Sequence, residues 1–528
     1  MRIKRSRWGE TERRETGAGF DVESGDAPGS LLSREVLKRR VSSGAFFAGS
    51  WGAVNLVVAF LGNLALARML QPRDFGIIAI GATLTMFATA LSDGGIGSGL
   101  IRREKGPTRR ELRTALGLQL LLTLTLAVGA AAAASRFGTS GLVVALMMVA
   151  LPIAAFQVPA RVVLTREVRV RELATVDAVG VLVYYGWAVT GVVAGLGVWA
   201  LASGVVARAL VSSAGVIGIS RLGLVLPSHR GLRELRPVIS FGLRFQGVSL
   251  AGILREQGLN AGVGVIGGVA TLGLFSLARR LLELPVLMFE PIHRVSFPYM
   301  THVLAARENP ARLIERGIGI SATAAGLVLA GTAAAAPELV PGVFGEQWRG
   351  AGPIVPWICA ALIVAGPVSV VGVGYLYALG APSVVLRAIV LHTIALYAVA
   401  FPLLPVFGPA AIGMGSLAGA VVDAVVMAHA ISARTTARPL RALGPPVAIA
   451  AVSGSIGLAV SAYIGQGLLS AIAGGAAAGI AYLALLAVFQ RPALRETGRL
   501  LRQAVQAGLS RDGAPVIDPT EATPASAA

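Results

Sequence analysis

Apolar runs of about 20 residues, the length that crosses a bilayer, recur fourteen times in this chain, and that repetition limits what it can fold into. They lie at roughly 43–69, 75–101, 114–134, 141–162, 173–195, 197–219, 238–265, 270–305, 317–340, 351–379, 384–405, 410–433, 445–465 and 468–490. Hydrocarbon offers the backbone no water, so a spanning segment must satisfy its own N–H and C=O groups, and each run is expected to be a helix. Charged residues make up 14% of the chain and hydrophobic ones 55%, with mean hydropathy +0.73, whereas a soluble domain is about 25% charged. The expectation is an all-α integral membrane protein of about 14 transmembrane helices.

An even number of spans puts both termini on one side, and the basic residues choose the side. Most of the 46 Lys and Arg residues fall in the first 40 residues, in the loops 102–113, 161–171, 221–236, 307–316 and 434–441, and in the tail. The opposite connections carry only Arg68, Arg73, Arg136 and Arg349. The positive-inside rule therefore places both termini in the cytoplasm. The same distribution explains the net charge of +19: basic loops face anionic lipid head groups, a better account than nucleic-acid binding. No short apolar region with a small-residue cleavage site follows the basic start, so it is not read as a secretory signal. Ser33–Arg40 is expected to lie on the membrane surface as an amphipathic lead-in. The single cysteine, Cys359, excludes a disulfide framework within the chain, and the five His show no metal-ligand spacing. There is no G-x-x-x-x-G-K-[ST] phosphate loop. No cofactor or metal is expected.

The most informative stretch is 238–305, where two apolar segments joined by Gly267-Gly268 carry Arg244, Arg255, Glu256, Arg279, Arg280, Glu283, Glu290 and Arg294. A charge at membrane depth costs about 2.5–3.5 kcal/mol on insertion scales and usually faces a protein interior or a wet cavity. Arg279 with Glu283 and Glu290 with Arg294 are spaced to pair along a helix. Arg244, Arg255 and Arg280 are left seeking an anion, and guanidinium matches phosphate oxygens in a bidentate fork. Arg208, mid-helix in the sixth run, is a further candidate. The alternative is structural: these cations hold helices together through Glu256, Glu283, Asp177 or Asp423. Asp423 is also a candidate proton or cation site. Asn55 and Asn63 on the first helix either face the cavity or bond between helices. Elsewhere, Thr108 to Glu111 fits a capping box. Phe75 to Ile80 matches Leu272 to Leu277 at an offset of six apolar runs, a faint repeat implying two similarly oriented halves.

Several stretches resemble the polysaccharide-biosynthesis flippase family. Ala67-Arg68-Met69-Leu70-Gln71-Pro72-Arg73-Asp74-Phe75-Gly76 is similar to its signature after the first helix, and Asp93-Gly94-Gly95-Ile96 to the end of its second. Arg161 to Leu173 with Gly195-Leu196-Gly197-Val198-Trp199-Ala200-Leu201 resembles the branch that includes colanic-acid exporters, and Gly273 to Pro298 resembles its eighth helix. The sequence departs at Asn260, where many relatives have Asp, and at Phe275 in place of Tyr. The resemblance implies the multidrug/oligosaccharidyl-lipid/polysaccharide exporter superfamily: two six-helix lobes (helices 1–6 and 7–12) around a central cavity, plus two C-terminal helices. The expected layout is a basic arm (1–42), N-lobe (43–220), linker (221–237), C-lobe (238–436), helices 13–14 (437–490) and an amphipathic segment with a disordered tail (491–528).

The function so implied is not enzymatic. It is translocation of an undecaprenyl-diphosphate-linked oligosaccharide to the outer leaflet for extracellular polysaccharide or O-antigen synthesis. Arg255, Arg280, Arg244, Arg208 and Arg279 are the candidate cationic cavity, Glu256, Glu283 and Asp423 the candidate ion-linked or pairing acids, and Arg68, Asp74 and Asp93 the candidate turn or gating residues. Partners would be the lipid-linked glycan, anionic lipids, and the polymerase and glycosyltransferases of the same pathway; no nucleic acid is expected. A cation-coupled drug exporter would want a net acidic cavity. A polysaccharide polymerase or glycosyltransferase would want a long outer loop or an acidic metal motif, and no such loop or motif occurs.

Overall fold

The computed structural model describes residues 34–102, 106–228 and 252–491, together with Gly231 and Leu235. The basic arm, most of the linker with Arg244, and the tail beyond residue 491 lie outside these. Among the described residues the chain is helical, with no strand. The first half comprises α1 (Arg34–Met69), α2 (Pro72–Asp93), α3 (Ile96–Arg102), α4 (Arg109–Ala134), α5 (Gly138–Ala155), α6 (Val158–Arg166), α7 (Val170–Val193) and α8 (Val198–Ile219). The second half opens with helical residues 252–266 (α9). It continues through α10 (Gly268–Leu281), α11 (Glu283–Val286), α12 (Glu290–Ala305), α13 (Ala311–Phe344), α14 (Ile354–Ala378), α15 (Pro382–Phe407), α16 (Ala410–Ser432), α17 (Pro439–Ile464) and α18 (Leu468–Phe489).

Eleven helices among the described residues are long and apolar enough to cross a membrane. Three expected runs stand apart. The first falls within α1, which runs unbroken from Arg34 to Met69 and is apolar over Val54–Met69. Of the seventh run, 252–266 is described. The eighth, expected as one long helix over 270–305, is divided into α10, α11, a 3₁₀ turn (Leu287–Phe289) and α12. Pro285 and Pro291 cause the division. Each lacks the N–H that would bond the carbonyl four residues earlier: that of Leu281, the last residue of α10, and that of Leu287, the first of the 3₁₀ turn.

Many large apolar side chains point outward, as a lipid solvent permits; Leu121, Ile480 and Phe489 are examples. Two groups of helices form. In the first, α1 packs on α7, α7 on α8, and α5 on α2, α4 and α8. In the second, α14 packs on α12, α13 and α16, and α15 on α16, while α17 and α18 pair with each other and lie against α13. The groups meet where α2 crosses α10. One hydrophobic core runs through this crossing, joining Leu66, Phe75 and Ile77 to Leu272, Phe275, Leu277 and Trp348.

The crossing is tight because two glycines make it so. A Cβ on Gly76 would lie 1.9 Å from the carbonyl oxygen of Val269, and one on Gly273 would lie 1.8 Å from that of Pro72. Gly76 and Gly273 occupy equivalent places in the internal repeat, and so do Pro72 and Val269. The contact is thus reciprocal, as across a pseudo-twofold axis, and small residues let the backbones touch.

Candidate functional site

The seam between the groups is built from the end that the loop charges assign to the outside. Three ties close it. Arg68, at the last turn of α1, donates from Nε to the carbonyl of Val343 at 2.7 Å and from Nη2 to that of Gly342 at 3.3 Å. These are among the carbonyls that a helix end leaves without intrahelical partners, here at the end of α13. Conversely, Trp348 Nε1 (2.8 Å) and Gln347 Nε2 (3.1 Å), just beyond α13, both donate to the carbonyl of Ala67 at the end of α1. Each helix terminus is capped from the other group. Deeper down, Thr83 on α2 donates to Gln257 on α9 at 2.8 Å, and Asn260 Nδ2 reaches both Gln257 (3.0 Å) and Thr83 (3.3 Å). Asn260 thus closes a neutral network across the seam.

Arg280 sits one step inward of the first two ties. It lies twelve residues into α10, about 18 Å along the helix at 1.5 Å per residue, and its Cα–Cβ bond tilts back towards the outer end. Its Nη1 donates to Oδ1 of Asn63 on α1, and its guanidinium lies 5.3 Å from the centre of the Phe75 ring. Asn63 in turn donates from Nδ2 to the Tyr185 hydroxyl at 3.0 Å, and Tyr185 meets Tyr184 edge-on at 4.9 Å. Arg208 on α8 lies over Gly180 of α7, and both tyrosines are within electrostatic reach of Arg208 and Arg280. Among the described residues, no carboxylate pairs with Arg280 or Arg208. Beside Arg280 is a small cavity lined by Phe60, Asn63, Glu283 and Phe344, of about 20 Å³, which is room for about one water.

The other candidate residues are distributed differently. Arg255 is on the far side of α9, towards α15: Tyr397 donates to its backbone carbonyl at 2.8 Å, and His392 lies within electrostatic reach of both Arg255 and Asp423. Asp423 accepts from Ser369 of α14. Arg279 pairs with Glu256 on α9 at 3.4 Å, not with its helical neighbour Glu283. A tertiary partner across the Gly267-Gly268 turn wins because the helix ends at Leu281, short of Glu283. The Glu290–Arg294 pair forms as spaced, at 3.1 Å. Asp177 takes Arg161 at 2.6 Å. Arg244 lies outside the described residues. Of the four candidate arginines among the described residues, Arg280 and Arg208 lie within electrostatic reach of the tyrosine pair, while Arg279 pairs with Glu256 and Arg255 lies towards α15.

Asp74 and Asp93 shape chain ends. Asp74 Oδ2 accepts the Gln71 N–H at 3.0 Å at the start of α2. Asp93 accepts the N–H of Gly95 and of Gly97 at the start of α3, and also Gln119 Nε2. The expected capping box forms between Thr108 and Glu111. Buried Asn55 Oδ1 has no partner among the described residues. Sequence reasoning missed Tyr184, Tyr185, Trp348 and Gln257. An adjacent tyrosine pair in a chain with only eight Tyr was the available signal.

This is a polytopic helical membrane protein with a transporter fold. The polysaccharide biosynthesis protein family matches residues 65–353, over half the chain, and the chain belongs to that family. It is 23% identical over 378 residues to the succinoglycan biosynthesis transport protein ExoT of Rhizobium meliloti, covering 70% of this chain and 73% of that one. It is 25% identical over 342 residues to the lipopolysaccharide biosynthesis protein WzxC of Escherichia coli, covering 61% and 67%. Its fold is similar to that of the lipid II flippase MurJ in an inward closed conformation, with TM-score 0.63, 9% identity, and 84% of this chain and 99% of that chain covered. It is also similar to that of an inward-facing multidrug resistance MATE family transporter of the MOP superfamily, with TM-score 0.53, 16% identity, and 71% and 94% covered.

Proposed function

We propose that this chain is a flippase that carries an undecaprenyl-diphosphate-linked oligosaccharide from the cytoplasmic to the outer leaflet of the plasma membrane, for extracellular polysaccharide or O-antigen synthesis. The observation that carries this reading is Arg280: a cation in the seam between two helix groups, held by an amide oxygen and an aromatic face, with Arg208 nearby. A diphosphate is the anion such a pair of guanidinium groups fits. The family, with a transport relative and a lipopolysaccharide-biosynthesis relative, supports the same substrate class. In this reading the glycan passes between the lobes while the polyprenyl tail stays in lipid, both termini face the cytoplasm, and the chain moves its substrate without altering it. The pathway's glycosyltransferases would supply the substrate and its polymerase would consume it. Asp423, with Ser369, His392 and Arg255, is the group that would answer to an ion gradient.

The test is flipping. The protein is placed in liposomes with a fluorescent undecaprenyl-diphosphate glycan on one leaflet, and an impermeant quencher reports its appearance on the other. Protein-dependent exposure, lost in Arg280→Gln with Arg208→Gln while the variant still inserts and melts normally, is the expected result. Equal exposure in wild type and variant would remove these arginines from the substrate path. No exposure with any glycan, together with transport of cationic drugs, would favour the drug-exporter reading.

A further inference from the structure

We infer that Asn63 is a built-in stand-in for the anion: it occupies Arg280 in the empty protein, and its displacement releases the outer closure. This rests on the reading of Arg280 as the diphosphate site. Three observations support it. The Arg280 guanidinium donates to the Asn63 amide oxygen, a neutral acceptor in the position an anionic oxygen would prefer. The cavity beside them, about 20 Å³, takes about one water, so a diphosphate does not fit against Arg280 while the Asn63 contact stands as it is. The same guanidinium lies against Phe75, whose ring meets that of fully buried Trp348 at 4.8 Å and 81°, and Trp348 holds the Ala67 carbonyl.

The consequence is a mechanical connection from site to closure. Asn63 and Ala67 lie four residues apart on α1, one helical turn, so the site and the outer tie are adjacent on one helix. Pulling Arg280 towards an anion removes one lobe-to-lobe bond and the cation from Phe75. The Trp348–Ala67 and Arg68–Val343 ties and the Thr83–Gln257–Asn260 network then hold the seam without it. Tyr185, which accepts from Asn63, receives the released amide and keeps it within α1–α7. Asn63 is thus a positioning residue that acts through Arg280.

The experiment reads the outer separation directly. Spin labels are placed at Phe137→Cys and Val406→Cys, both exposed and at the outer ends of different lobes, in protein held in nanodiscs. The probe is undecaprenyl diphosphate without glycan, and its binding is followed separately by tryptophan fluorescence. Wild type is expected to give one short distance without probe and a longer population with it. Asn63→Leu, which frees Arg280, should show the longer population with no probe. Asn63→Asp, which supplies an internal anion, should need at least tenfold more probe to open. Asn63→Gln should restore wild-type behaviour. Label distances in Asn63→Leu and Asn63→Asp that match wild type, with and without probe, would overturn the inference. If Asn63→Leu does not fold, Arg280→Gln without probe takes its place: opening supports the link, and an unchanged short distance overturns it. Wild type that fails to bind the probe would count against the substrate reading, whereas the probe-free distances still decide whether Asn63 holds the closure.

Discussion

Gly76 and Gly273 lie on α2 and α10 where the two helix groups touch, each with its missing side chain directed at a carbonyl oxygen of the other helix. A methyl at either position has nowhere to go, because the obstacle is backbone and not a movable side chain. Gly273→Ala is expected to force the helices apart at an overpacking cost of about 1–3 kcal/mol. The check is the outer label distance together with thermal stability. A variant that keeps both at wild-type values would contradict the described contact.

Neighbouring arginines should behave differently. Arg280→Gln removes a charged donor facing the seam, and bonds to charged groups are worth about 1.5–3 kcal/mol, so flipping should fall about tenfold or more. Arg279→Gln breaks a half-exposed pair with Glu256 and should cost little, since such pairs are worth about 0–1 kcal/mol. Reversing that pair with Arg279→Glu and Glu256→Arg should return the rate to wild type. Rates for the four proteins in one liposome assay decide it.

Arg161 and Asp177 make the shortest ion pair among the described residues, 2.6 Å, yet both side chains are over a third exposed. Arg161→Ala is expected to lower stability by no more than about 1 kcal/mol and to leave flipping intact. A large loss of flipping would place this pair in the substrate path.

Cys359 is fully buried in α14. A maleimide should leave the folded wild-type protein unlabelled and react once the chain is denatured, as the inaccessibility of a buried thiol requires. Labelling of the native protein would show that α14 is open to solvent. If the prediction holds, introduced cysteines can be read without first removing Cys359.

Much of this architecture is legible before any coordinates. Hydrocarbon leaves helices as the outcome for long apolar runs, and the faint match of Phe75–Ile80 with Leu272–Leu277 aligns Gly76 with Gly273, though their contact emerges only in the fold. Pro285 and Pro291 fall at the break in the 270–305 run, a signal that the reading of 270–305 as one long helix leaves unused. Side-chain partners are less legible. Helical spacing favours Glu283 for Arg279, and only the fold reveals that Glu256, on the preceding helix, is better placed. The asymmetry among the arginines is hidden for the same reason: sequence gives depth along a helix, whereas Arg255 and Arg280 differ in the direction they face.

The break in that run has a consequence for motion. On one side of it, α10 is locked to α2 through backbone contact at Gly273. On the other side, α12 lies against α14, where a Cβ on Gly374 would meet Ser296 at 2.7 Å, and just before it the ring of Phe289 covers Gly366. Between them run α11 and a single 3₁₀ turn, a segment without a continuous hydrogen-bonded column. A rigid rod here would tie the α2 crossing to α14 and make the two helix groups move as one lever. The joint separates the portion packed on α2 from the portion packed on α14, so a shift of one need not carry the other rigidly with it.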